Sequence, residues 1–133
     1  MGERATSRVA LMAIHPIYAE AILDGTKTVE FRKRRLAEDI DTVWIYATAP
    51  VQRIVGEFRI EETVVDSPES IWSAFGSVGI IEHEDYQQYY ADKSHAVAFV
   101  VEHARRFEEP IALYQLNPAP SIPQSFSYLK ASA

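Results

Sequence analysis

The chain has 133 residues, of which 47% are hydrophobic, and this length and composition suit one compact domain spanning residues 1–133. It contains no cysteine, so a disulfide framework and a thiolate zinc site are excluded, and a cytoplasmic location is expected. The net charge of -6 means that any binding of nucleic acid must come from a local basic patch.

The N-terminal part of the chain predicts one strand and one helix. Residues 1–6 are interpreted as a flexible tail, and Arg8–Ile14 is a short apolar run typical of a buried strand. A helix is expected over Pro16–Asp24, because proline suits the first helical turn and Gly25 suits the position after the last one. No stretch approaches the roughly 20 apolar residues that a membrane span needs, so no membrane partner is expected.

Thr28–Lys33 is predicted to form the second strand. Side chains alternate between the two faces of a strand, so Glu30 and Arg32 share one face while Val29 and Phe31 share the other. One face of this strand is therefore charged and the other is apolar.

Two longer strands follow in the middle of the chain. Val43–Ala49 is rich in β-branched and aromatic residues and is ended by Pro50, and Arg53–Val65 alternates between apolar and charged positions. Gly56 lies inside the second of these strands and indicates a bulge or a sharp bend, as the corner of a β-barrel requires.

The C-terminal half predicts two short helices, two strands and an irregular tail. One helix begins after the Ser67–Pro68 cap, and Glu82–Ala91 supplies the other. His95–Glu102 and Phe107–Leu116 are predicted to be separate strands joined by a turn, before a proline-rich tail. This order favours a mixed α+β barrel of about five to six strands with flanking short helices, because it lacks the regular alternation of a parallel sheet.

Basic residues are concentrated in the segment that includes the second strand. Against the single acidic residue Glu30, this segment carries Lys27, Arg32, Lys33, Arg34 and Arg35. A basic run within an acidic domain is a candidate phosphate-binding surface, and the alternative is a solvated loop.

The stretch D-G-T-K-T-V-E-F-R resembles the G-x-K-x-x-E-x-R signature of ASCH domains, with Gly25, Lys27, Glu30 and Arg32 at the four fixed positions. The resemblance extends to the A-T-A-P turn at residues 47–50 and to the P-Q-S-F ending at residues 123–126. It implies a PUA-like β-barrel with a ligand cleft lined by Lys27, Glu30 and Arg32.

The family resemblance implies binding of RNA or of a modified nucleoside or nucleotide, in RNA metabolism, translation or transcription. Some relatives hydrolyse an acylated pyrimidine nucleoside and some are linked to cleavage of single-stranded RNA. A metal-free hydrolase with Lys27 as its catalytic base or charge stabiliser is therefore the alternative function. A threonine stands in the nucleoside hydrolases where this chain has Glu30.

The predicted ligand-binding residues extend beyond the signature. Thr28 offers a hydroxyl group, Arg34 a contact to phosphate, Tyr46 a ring for base stacking, and Ser125 belongs to the P-Q-S-F ending. The alternatives are that the three signature charges form a structural ion-pair network and that Tyr46 lies in the core.

Neither a cofactor nor a metal is predicted. The histidines have no metal-ligand spacing and no glycine-rich nucleotide loop is present. A third hypothesis is that the acidic surface binds a basic protein partner.

Overall fold

The computed structural model describes residues 8–130, so the tail predicted over residues 1–6 lies outside the described part of the chain. Within residues 8–130 the elements are β1 (Arg8–Ile14), α1 (Pro16–Asp24), β2 (Val29–Arg32), β3 (Thr42–Ala47), β4 (Arg53–Asp66), α2 (Pro68–Phe75), a 3-10 turn (Gly76–Val78), α3 (His83–Tyr89), β5 (Ala96–Ile111), a second 3-10 turn (Leu113–Gln115) and β6 (Phe126–Lys130).

The strands form one mixed sheet in the order β2-β5-β4-β3-β1-β6. Strands β1 and β3 pair in parallel, and the other neighbouring strands pair antiparallel. The α+β class and the six strands are confirmed. Strands β2 and β6 are the two edges of the sheet, which is barrel-like but not closed into a true barrel.

The two faces of the sheet pack against different elements. The inner face carries the largest core cluster, in which Met12, Ile45, Phe58 and Phe99 pack against Ile22 of α1. The outer face of β2 and β5 is covered by α2 and α3, whose buried side chains form a second cluster with Val29, Phe31 and Ala98. Strand β2 therefore separates the interior of the sheet from the helical layer.

The bend predicted at Gly56 is confirmed. The register of β4 shifts between Ile54 and Gly56 on the β5 side, and the matching shift on the β3 side lies between Ile45 and Tyr46. An extra residue at a bulge increases the local bend of a strand, which lets the sheet curve around its core.

The prediction of separate strands over His95–Glu102 and Phe107–Leu116 is wrong, because Ala96–Ile111 is a single strand. Arg105 pairs with Glu57 across the ladder, and the register shifts between Glu57 and Arg59, close to His103 with its left-handed φ of 53°. The irregularity in the sequence is thus absorbed as a bulge without ending the strand.

The segment that follows the proline-rich stretch forms a strand that was not predicted. Phe126–Lys130 forms β6 and pairs antiparallel with β1 over Arg8–Met12. The edge of β1 offers unpaired backbone groups to this segment, and Phe126 and Leu129 pack against two core clusters, so main-chain pairing and side-chain burial both hold β6.

Candidate functional site

Strand β2 and the turn before it position three charged side chains on the inner face of the sheet. Glu30 lies opposite Phe99 of β5 and Arg32 lies opposite Val97, and both of these partners belong to the inner core cluster. Lys27 reaches the same side from the turn, where its backbone N–H donates to the carbonyl of Ala21. The turn needs the left-handed φ of 91° that Gly25 adopts after α1.

The three side chains meet as the sequence predicts. Arg32 donates to Glu30 Oε2 from Nε at 3.0 Å and from Nη2 at 2.8 Å. Lys27 Nζ lies 3.6 Å from Glu30 Oε1, so the carboxylate stands between the two cations. Lys27, Glu30 and Arg32 are 3%, 6% and 9% exposed, and such burial of charges is tolerated only when they are paired.

The three charges line a cavity of about 200 Å³, here called the inner hollow, together with His15, Tyr18 and Ile81. His15 caps α1 by accepting from the backbone N–H of Ile17 at 3.3 Å. The Tyr18 ring centroid lies 5.0 Å from Lys27 Nζ, within cation–π range. The hollow therefore combines charged groups with an aromatic wall.

Arg32 connects the two edges of the open sheet. Its Nη2 donates to the carbonyl of Ala13 in β1 at 2.7 Å, and its Nη1 donates to Ser125 Oγ, just before β6, at 3.1 Å. With the bonds to Glu30, each nitrogen of the guanidinium is bonded within the protein. Arg32 thus supplies positive charge to the hollow and holds β2 against β1 and β6.

Lys27 is held by the loop between the 3-10 turn and α3. Its Nζ donates to the carbonyl of Gly79, and a Cβ at that position would overlap the ring of Phe31. Burial lowers the pKa of Lys27, and the charge of Glu30 opposes that shift. The site therefore contains a desolvated amine with a carboxylate beside it.

The lowered pKa of Lys27 predicts how stability changes with pH. Desolvation of the ammonium destabilises the folded state below the folded-state pKa, and this cost disappears as pH rises to the unfolded-state value of 10.5. We expect the wild type to gain free energy of unfolding relative to Lys27→Met as pH rises toward the unfolded-state value, and the gain to end there. Urea denaturation of both proteins across this range measures the difference.

The comparison between the two proteins is needed because tyrosines titrate in the same range. Burial raises the pKa of Tyr86 to about 12 and raises that of Tyr90 as well, so their contribution to stability falls as pH rises past the unfolded-state value. Both proteins share this contribution and the subtraction removes it. A difference that stays constant with pH would contradict the lowered pKa of Lys27.

A second cavity of about 260 Å³, here called the basic hollow, adjoins the inner hollow. It is lined by Arg32, Lys33, Arg34, Tyr89, Gln124 and Ser125, and Arg32 and Tyr89 line both cavities. Lys33 Nζ lies 4.5 Å from the ring centroid of Tyr89, and the Arg34 guanidinium lies 4.8 Å from that of Phe126. Exposed cations next to aromatic rings suit a ligand in which an anionic group is attached to a planar ring.

The structure brings together most of the predicted site residues. Lys27, Glu30 and Arg32 line the inner hollow, and Arg34 and Ser125 line the basic hollow.

Two predicted residues lie elsewhere. Thr28 is exposed and lines neither hollow, and Tyr46 is 2% exposed in a separate cluster with Leu11 and Ile54. Tyr46 therefore lies in the core, which was the alternative to its predicted role in base stacking.

The sequence interpretation missed Tyr18, Tyr89 and the loop at Gly79. Tyr86, Tyr89 and Tyr90 have the spacing of one helical face, but only Tyr86 and Tyr90 are buried in the helical layer, whereas Tyr89 lines the cleft.

Two structural findings concern other classes of function. No helix within residues 8–130 is long and apolar enough to cross a membrane. The same residues contain no group of three or more histidine, aspartate or glutamate side chains placed to hold a metal ion.

Comparisons with known proteins agree on the family. A family model described as a domain of unknown function, DUF365, matches residues 10–126. A protein of Zymomonas mobilis named ASCH domain-containing ribonuclease is 31% identical over 128 residues, covering 91% of this chain and 84% of that protein. The crystal structure of ASCH from Zymomonas mobilis matches with a TM-score of 0.83 and 32% identity, covering 91% of this chain and 87% of that one.

A ribosomal protein also contains a related segment. The large ribosomal subunit protein uL22 of Ureaplasma parvum is 30% identical over 96% of this chain, and the match spans 41% of that protein.

Proposed function

This chain belongs to the ASCH domain family, matched also by the DUF365 model, and on that basis we propose that its cleft binds unpaired RNA. The observation that carries the proposal is the junction of two cavities at Arg32 and Tyr89, one with buried charges and one with exposed cations. In this proposal a base enters the inner hollow and its phosphate lies in the basic hollow.

The sizes of the cavities favour a single nucleotide. At about 200 Å³ and 260 Å³, each is smaller than the roughly 300–1,000 Å³ of a pocket for a whole drug-sized ligand. Base edges are accessible to such pockets in single strands and loops, whereas the deep major groove of an RNA duplex hides them. Lys27 and the Oε1 atom of Glu30 supply a donor and an acceptor for the base, and Tyr89 supplies a ring.

The exposed cations of the basic hollow allow a direct test. For Lys33→Gln/Arg34→Gln we expect about ten-fold weaker binding of a fluorescein-labelled single-stranded RNA at about 0.1 M salt. The slope of log affinity against log salt should fall in magnitude by about 1.4, since each single-strand phosphate contact contributes about 0.7. Fluorescence anisotropy titrations at several salt concentrations measure both quantities.

Arg105→Gln/Arg106→Gln is the matched control. It removes the same two charges from β5, where Arg105 pairs with Glu57 and Arg106 with Glu20, outside both hollows. Its salt slope should equal that of the wild type. Equal slopes in all three proteins, or tighter binding of a duplex of the same sequence, would reject the proposal.

We further propose cleavage of single-stranded RNA in the same cleft as a second function. It is supported by the relative named a ribonuclease and by a buried amine with a lowered pKa beside a carboxylate. In its neutral form the Lys27 amine accepts the proton of the ribose 2′-hydroxyl while the 2′-oxygen attacks phosphorus. The P–O5′ bond breaks and the 5′-oxygen takes a proton from water, which leaves a 2′,3′-cyclic phosphate and a 5′-hydroxyl end. Labelled RNA and acylated cytidine, incubated with wild type and Lys27→Met, separate this function from the nucleoside hydrolase and from binding alone.

A further inference from the structure

A larger pocket, which the proposed function does not use, lies on the outer side of the sheet between α2 and α3. Its volume is about 490 Å³. The Trp72 and His83 rings lie nearly parallel along it, with centroids 4.5 Å apart and planes 13° apart. Tyr86 and Tyr90 line it while being only 2% and 3% exposed, so they form its floor. We call this site the aromatic pocket.

The floor of the aromatic pocket offers ring surface rather than hydrogen-bond donors. The Tyr86 hydroxyl donates to the carbonyl of Pro68 at 2.8 Å, and the Tyr90 hydroxyl donates to the carbonyl of Arg32 at 2.7 Å. Both hydroxyl protons are therefore engaged inside the protein. The floor therefore offers an anion no free hydroxyl donor, whereas a cation is attracted by the electron-rich faces of the rings and by hydroxyl lone pairs.

The charges at the rim of the aromatic pocket also favour a cation. Glu69 and Asp92 line it and are exposed, against the single lysine Lys93. Burial raises the pKa of Tyr86 and the negative charge of Glu69 adds to that rise, so the field of this carboxylate reaches the floor of the pocket. The opening is thus negative overall, in contrast to the basic hollow.

From the four rings and the two rim carboxylates we infer that the aromatic pocket binds the arginine side chain of a protein partner. A guanidinium is planar, stacks on aromatic rings and is weakly hydrated, and its fork of N–H groups matches a carboxylate. A lysine ammonium is a strongly hydrated point charge and gains less from such a site. RNA is disfavoured, because the rim carboxylates would repel its phosphates.

The inference does not depend on RNA binding in the cleft. The two sites share no lining residue, since the aromatic pocket is lined by α2, α3 and the turn after α3 on the outer side of β2. Failure of one assignment therefore leaves the other intact.

The test uses N-acetyl-arginine methylamide as the probe, in an NMR titration that follows the two tryptophan indole N–H signals. We expect the Trp72 signal to shift with saturation at millimolar concentrations, as for a single contact of about -3 to -4 kcal/mol. The Trp44 indole, which donates to Glu57 at 3.2 Å away from the pocket, should not shift. N-acetyl-citrulline methylamide, a neutral compound of nearly the same shape, should give no saturable shift.

Charge variants at the rim provide the matched comparison. Glu69→Gln should raise the dissociation constant about five-fold, whereas Glu84→Gln, which neutralises an exposed α3 carboxylate outside the pocket lining, should change it less than two-fold. Lys93→Gln should lower the constant about two-fold by removing a repulsive charge.

Four outcomes would overturn the inference. They are the absence of a saturable Trp72 shift, an equal response to citrulline, weaker binding of the arginine probe to Lys93→Gln, and a single-stranded RNA that shifts Trp72 more than the arginine probe does.

Discussion

Arg32→Ala is expected to lower the free energy of unfolding by about 3–5 kcal/mol, the cost of removing one partner from a buried ion pair. The substitution leaves the carboxylate of Glu30 buried, with only Lys27 at 3.6 Å to compensate its charge. It also removes the hydrogen bonds to Ala13 and Ser125, which join the edge strand β2 to β1 and to the segment just before β6. Urea denaturation followed by far-ultraviolet circular dichroism measures the loss.

Arg106→Ala is the control for this measurement. Arg106 also forms a two-pronged pair, in which each of its two terminal guanidinium nitrogens lies 2.9 Å from an oxygen of Glu20, but at an exposed position. Solvent screens such a pair, so the loss should stay below about 1 kcal/mol. Similar losses in the two variants would mean that Arg32 does not hold the sheet edges together.

Arg32→Lys tests which property of Arg32 matters. Lysine keeps the positive charge but lacks the planar fork that reaches Glu30, Ala13 and Ser125 together. We expect it to recover less than half of the stability lost in Arg32→Ala. Full recovery would show that charge alone is sufficient.

Lys27→Met is expected to weaken binding of a single-stranded RNA about 10-fold to 100-fold, as for a lost hydrogen bond to a charged group worth about 1.5–3 kcal/mol. Lys27 Nζ donates to Gly79 and lies 3.6 Å from Glu30, and we expect its third N–H to bond a ligand in the inner hollow. If the cleft cleaves RNA, the same substitution should also abolish turnover. Anisotropy and gel assays on one labelled oligonucleotide measure both effects.

Lys130→Met is the matched control, because it removes a lysine from the exposed end of β6, outside both hollows. Its affinity should remain within about two-fold of the wild type. Lys27→Met should stay folded, because Glu30 keeps its pair with Arg32. Unchanged affinity in a folded Lys27→Met protein would contradict a ligand in the inner hollow, whatever happens at the basic hollow.

Local sequence signals predicted the elements around the site. Pro16 and Gly25 mark both ends of α1, and the alternation in β2 places Glu30 and Arg32 on one face. These features depend on backbone conformations and on a two-residue period, which neighbouring residues determine. The family resemblance predicted which three residues line the cleft, and the comparisons confirm the family.

Features that depend on distant parts of the chain could not be predicted in this way. The continuity of β5 through Arg105 and Arg106 depends on its pairing with β4, and β6 depends on the free edge of β1. The positions of Tyr46 in the core and Tyr89 at the cleft follow from which neighbours pack against each ring.

The sequence by itself determined the fold class, the family and the three charged residues that meet on the inner face of the sheet. Each of these is encoded in local periodicity or in a short motif. Only the tertiary structure decided which groups those charges contact. It bonds Arg32 to β1 and to the segment before β6, holds Lys27 against Gly79, and forms the aromatic pocket from α2 and α3. The physical reason is that hydrogen bonding and burial depend on residues far apart in the chain, and only folding brings them together.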